Sequence, residues 1–156
     1  MPDERLPGVG YAWTVRVHAV GPDEARAYCR QSAFTVGAAA SFRAEDQNPS
    51  GIELLLGALG ADLANGLGAL LRRRGIGVDG IEVRLTGTLE NPLVHLGVVG
   101  EEGSPAIAKI AIKLYVGTSE DESTIQNLYR EVRERSPLIR TFELAVALDI
   151  ELRIVL

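Results

Sequence analysis

Between Asn48 and Gly75 the apolar residues recur at helical spacing. Ile52, Leu55, Leu56, Leu59, Leu63, Leu67, Leu70 and Leu71 fall on one broad face. Pro49-Ser50-Gly51-Ile52-Glu53 reads as a helix start. Ser50 can cap the free backbone N–H groups, and Glu53, three residues on, completes a capping box. Arg72, Arg73 and Arg74 suit the negative end of the helix dipole, and Gly75 suits the position just past it. The run also holds Gly57, Gly60, Gly66 and Gly68. Each costs about 1 kcal/mol relative to alanine in a helix interior. The row Gly60, Ala64, Gly68, at four-residue spacing, predicts close approach by another backbone. A helix this apolar on most sides is expected to be central and covered on both flanks, with a second copy of the chain supplying part of the cover.

Elsewhere the period changes to two. Tyr11–Val20 alternates, with Tyr11, Trp13, Val15, Val17 and Ala19 on one face and Thr14, Arg16 and His18 on the other. That predicts a half-buried strand. Gly21-Pro22-Asp23 marks a turn, and 25–31 and 33–36 read as two short strands. Residues 38–48 are small and polar, a loop. Val78–Leu89 reads as a strand, Asn91-Pro92 interrupts, and Leu93–Val99 is a second apolar stretch. Residues 100–105 form a turn and Ala108–Val116 a strand. Ser119-Glu120-Asp121-Glu122 opens a second helix, with acidic residues where the dipole favours them. It runs to about Arg135, and Ser136-Pro137 interrupts it, since a proline disfavours helical backbone in the residue before it. Ala147–Leu156 closes as a strand. Strands and helices are grouped rather than strictly alternating, which predicts an α+β fold. Residues 1–10 read as a flexible lead and 11–156 as one domain.

Composition narrows the function classes. The chain has 156 residues, 46% apolar and 24% charged, with a net charge of -5. That is ordinary globular usage. The negative balance argues against nucleic-acid and anionic-membrane partners, which are drawn to basic surfaces. One cysteine leaves no intramolecular disulfide and makes the cytoplasm the default compartment. The first ten residues have no apolar core, so no secretory leader is expected. Glu53, Asp62 and Asn65 interrupt the most apolar segment, which therefore reads as a core helix rather than a membrane span. His18, Cys29 and His95 lie far apart, without metal-ligand spacing, and no cofactor is expected.

Two motifs carry a family resemblance. Pro49-x-x-x-Glu53-Leu54-Leu55-x-x-Ala58-Leu59-Gly60 resembles the central-helix motif of the OsmC/Ohr family (osmotically inducible protein C and organic hydroperoxide resistance proteins). Arg135-Ser136-Pro137, at the end of the second helix, is similar to the family's Cys-Pro. The order of elements from about residue 11 to 156 agrees as well. The resemblance implies antiparallel sheets wrapped around a long central helix in an intertwined homodimer, with a site at each subunit interface. It also implies a cycle in which one cysteine reduces a hydroperoxide and a second resolves it. By position the first cysteine corresponds to Asp62 and the second to Ser136. The helix-start glutamate corresponds to Glu53, and the family's arginine to Arg30 or Arg43.

Both thiols are therefore missing. A thiolate attacks a peroxide oxygen and becomes a sulfenic acid, whereas a carboxylate has no such redox state. The resemblance implies that Asp62 and Ser136 lie close together, because family members join these positions by a disulfide. A buried carboxylate needs hydrogen bonds or a cation. Ser136, Asn65 one turn away, and Arg30, Arg43 or Arg135 are the candidate partners. One reading is a polar ligand site; the plain alternative is a structural network that fixes helix register, or an Asp62 that faces water. Ser136 has no histidine placed nearby, so it is not read as a nucleophile. Glu53 has a complete local explanation as a capping residue. Cys29, on the face of Ala25 and Ala27, reads as a small buried hydrophobe. His18 reads as solvated, His95 as a satisfied core or interface histidine, and Tyr11 and Trp13 as core or subunit-contact residues. The sequence thus points to an OsmC-like homodimer that has lost thiol peroxidase activity and binds a small, partly apolar ligand or a partner near Asp62 and Ser136. The competing reading is a one-cysteine hydroperoxide reductase using Cys29 in oxidative stress response, which leaves open whether the chain is an enzyme.

Overall fold

A computed structural model describes residues 11–38 and 48–155. The expected lead over 1–10, nearly all of the expected loop, and Arg43 lie outside the described residues. The chain divides into two compact units, Met1–Gly51 and Ile52–Leu156.

The first unit contains an antiparallel meander of β1 (Arg16–Gly21), β2 (Glu24–Cys29) and β3 (Ser32–Val36), in the order β1-β2-β3. The strand expected from Tyr11 starts only at Arg16, because β2 ends at Cys29 and offers no ladder partner beyond Tyr28. Arg30 and Gln31 make the turn between β2 and β3, with Arg30 at a φ of 53°. Two-residue hairpin turns demand such left-handed backbone to match strand twist. Tyr11 and Trp13 are 86% and 77% exposed, so the expectation that they fill this chain's core fails. Among the described residues nothing encloses them; they lean on each other, ring centroids 6.5 Å apart.

In the second unit α1 spans Gly51–Arg74, as the apolar period predicts. It ends in a Schellman motif: the Gly75 N–H donates to the Arg72 carbonyl (3.1 Å) and the Ile76 N–H to the Leu71 carbonyl (3.0 Å). Gly75 takes a φ of 69°, which glycine adopts without steric cost. β4 (Gly80–Leu89) pairs antiparallel with β5 (Ile107–Gly117), and β5 pairs parallel with β6 (Ala147–Val155). A parallel pair needs a crossover. Here it is α3 (Glu122–Arg135) followed by α4 (Pro137–Phe142). The apolar stretch from Leu93 is a single helical turn, α2 (Pro92–His95), and a loop rather than a strand. Asn91 caps it by accepting a hydrogen bond from the Leu93 N–H (3.0 Å), and Pro92 supplies the fixed φ of a first helical residue.

The core lies between this sheet and the helices. Ile110, Ile112, Leu114 and Val116 of β5 meet Leu59, Leu63, Leu67 and Leu71 of α1 and Ile125 and Val132 of α3, all 4% exposed or less. By length and composition α1 could cross a membrane, but its leucines are enclosed by its own sheet, which makes it a core helix. The row Gly60, Ala64, Gly68 does not face another helix. A Cβ on Gly60 would lie 2.6 Å from Leu85 Cδ1, and one on Gly68 would lie 3.6 Å from Ile81 Cδ1. The leucines flanking this row turn it toward the sheet, so the close neighbours are β4 side chains. The exposed side of α1 carries Gly57, Ala58, Ala61 and Asn65 instead.

Candidate binding site at the Asp62 and Ser136 positions

Ser136 is the joint between α3 and α4 and leaves helical geometry at φ -74°, ψ 115°, as the following proline requires. Its backbone N–H closes α3 on the Val132 carbonyl at 2.8 Å. Its Oγ caps α4, accepting from the Ile139 N–H at 3.0 Å. The same hydroxyl donates its proton to Asp62 Oδ2 on α1. Seventy-four residues apart in sequence, the two side chains are bonded. Ser136 is 5% exposed, and Asp62 is half-buried. The hydroxyl thus spends its one proton on Asp62 while accepting from the Ile139 N–H, and removing Asp62 would strand that proton.

A cavity of about 190 Å³ opens beside this pair. Leu70, Val132 and Pro137 give it an apolar wall, while Asp62, Arg73 and Arg135 bring charge to it. Gly66 and Ala69 line it without filling it. Asp62, Gly66, Leu70 and Arg73 are spaced four, four and three residues apart, so they share one face of α1. That spacing was readable in the sequence. The sequence assigns Arg73 to the helix dipole, because a basic last turn needs no further explanation.

Asn65 and Glu53, the other sequence candidates on α1, do not line the cavity. Among the described residues no arginine comes within ion-pair distance of Asp62. Arg135 pairs with Glu131 at 2.9 Å, one helical turn back, and Glu131 also holds Arg74 at 3.6 Å. Asn65 is exposed and does not line the cavity. Glu53 is nine residues before Asp62 on the same helix, about 13.5 Å away by helical rise. Arg30 and half-buried Cys29 belong to the N-terminal unit. Exposed His18 packs edge-on against Tyr28, centroids 6.2 Å apart, in that same unit. His95 differs from the expected satisfied core histidine: among the described residues its Nε2 is buried without a hydrogen-bond partner.

Beneath the α3–α4 joint, Arg133 Nε bonds Glu143 Oε1 at 2.6 Å, and Arg140 reaches Glu143 Oε2 at 2.9 Å. Tyr129, 7% exposed, places its hydroxyl beside Arg133 of this cluster. Burial raises its pKa above 10.0, and the Arg133 charge opposes that shift without reversing it.

A helix laid on a mixed sheet, with a hydrogen-bonded pair joining the helix to the joint of a crossover, defines an α+β class built around one central helix. The family model for OsmC-like protein matches residues 44–151, and this chain belongs to that family. Its fold is similar to an OsmC-like protein from Mycoplasma pneumoniae, at 15% identity over 94% of this chain and 99% of that one, with a TM-score of 0.79. It is also similar to an OsmC-like protein of unknown function from Vibrio cholerae (11% identity, 92% and 100% covered, TM-score 0.72). The organic hydroperoxide resistance protein OhrB of Bacillus subtilis aligns at 14% identity, over 92% and 98% of the two chains, with a TM-score of 0.64. No curated protein matches the sequence significantly.

Proposed function

We propose that this chain is a cytoplasmic OsmC-like homodimer without thiol peroxidase chemistry, which binds a small, partly apolar ligand in the cavity beside Asp62 and Ser136. One observation carries the reading. The two positions that the resemblance assigns to the family's cysteines hold a carboxylate and a hydroxyl bonded to each other, next to a cavity with apolar walls and charged edges. Neither group can cycle through a sulfenic acid. Small-molecule sites have this make-up, apolar lining with a few placed polar groups, though at about 190 Å³ this one falls below the roughly 300–1,000 Å³ of drug-sized sites. The exposed small-residue side of α1 and the uncovered Trp13, Val15, Val17 and Phe34 of the N-terminal unit support a second copy as the partner.

The test is thermal stabilisation by a panel of short amphiphiles, in wild type and in Ala69→Phe, which fills the cavity from its wall. The reading expects at least one compound to raise the wild-type Tm and to lose that effect in the variant. A panel that stabilises neither protein, or both equally, contradicts it.

A further inference from the structure

We infer that the cavity takes a small anionic amphiphile, with a carboxylate or phosphate head at Arg73 and Arg135 and an apolar body against Leu70, Val132 and Pro137. This rests on the binding reading above and adds the sign of the head group.

The charges at the cavity are unequally committed. Asp62 already accepts the Ser136 hydroxyl proton. Glu131 is shared between Arg135 and Arg74. Arg73 has no carboxylate within ion-pair distance among the described residues. The cavity lining itself carries Arg73 and Arg135 against Asp62, one positive charge in excess on a chain whose net charge is -5. A guanidinium presents paired N–H donors that match carboxylate and phosphate oxygens. Arg135 is 65% exposed in its pair with Glu131, and such pairs are weak and exchange readily with a ligand anion. Among the described residues, an ammonium head would find one carboxylate in the cavity lining, already accepting from Ser136, and two arginines in the same lining. The apolar wall is continuous with the core through Leu70 and Val132, so burying a short chain there removes apolar surface from water.

The experiment is calorimetric titration of the full chain with octanoate, octyl phosphate, octylamine and inorganic phosphate, each below its aggregation concentration. Wild type, Arg73→Gln and Ala69→Phe are compared. Octanoate or octyl phosphate is expected to bind wild type, and the tighter of the two identifies the head group. Octylamine is expected not to bind, and inorganic phosphate to bind at least tenfold more weakly than octyl phosphate. Arg73→Gln should weaken the anionic amphiphile about tenfold and flatten its dependence on salt. Ala69→Phe should abolish binding. Octylamine binding as tightly as octanoate, with loss in Ala69→Phe, overturns the charge assignment while leaving the cavity in place. Octanoate and octyl phosphate binding that ignores Arg73→Gln also overturns it. Absence of any binding sensitive to Ala69→Phe removes the cavity reading itself, and this inference with it.

Discussion

Ser136 shows how one side chain can serve a joint and a site at once. Its hydroxyl caps α4 and donates to Asp62, so the two roles are energetically linked. Asp62→Ala leaves a buried hydroxyl without its acceptor and is expected to cost about 1–3 kcal/mol in denaturant unfolding. Ser136→Ala also loses a helix cap and is expected to cost about 0.5–2 kcal/mol. Because both remove the same bond, the double variant should fall short of the sum by at least about 0.5 kcal/mol. Additivity would show that the bond contributes nothing. Tyr129 gives a pH signature. Its pKa is raised in the folded chain, so the folded state holds the proton more tightly than the unfolded state does. That stability is complete below pH 10 and is lost as pH rises through the folded-state value. Tyr129→Phe removes the group that titrates, so it is expected to flatten the alkaline decline. A steeper decline in the variant would contradict this.

At the scale of elements, the apolar period located α1 to within a residue at both ends, because capping residues, leucine spacing and a glycine stop all agree. The strands β4, β5 and β6 were legible for the same reason: alternation on β4 and β6 matches one half-buried and one exposed face. What the sequence left hidden depends on neighbours that are distant in the chain. Leu93–Val99 is apolar enough for a strand, yet an asparagine cap and a proline convert its start into a helical turn. The parallel pairing of β6 follows from the α3–α4 crossover rather than from any pattern within the strand. The glycines of α1 were legible as close approaches but not as to what approaches. A Cβ on Gly66 would sit 2.9 Å from Cγ1 of Val132, a branched side chain with little freedom to move. Gly66→Ala is thus expected to destabilise by about 1–3 kcal/mol. At Gly57 nothing lies within 4 Å, so Gly57→Ala is expected to stabilise the isolated chain by about 0.5–1 kcal/mol. Chemical denaturation of both variants checks the contrast, and equal effects would contradict it.

At the scale of the whole molecule, the candidate pair was legible only through a family resemblance, since nothing in local pattern ties Asp62 to Ser136. Their charged surroundings were only partly legible: Arg135 was a candidate, while Arg73 joined the cavity only once α3 was placed beside α1. A homodimer is expected to appear in light scattering as twice the chain mass of 16.7 kDa, and Ala61→Arg, on the exposed side of α1, to reduce it to one chain. A wild-type protein that is monomeric at micromolar concentration would contradict that expectation. The central proposal, however, is chemical: that an OsmC-like fold persists here without the thiol cycle. Its most direct test is consumption of cumene hydroperoxide and hydrogen peroxide, with a dithiol reductant, by wild type and Cys29→Ser. The account predicts no turnover above a protein-free control for either. Turnover by wild type that disappears in Cys29→Ser would make this chain a one-cysteine peroxidase and contradict the account.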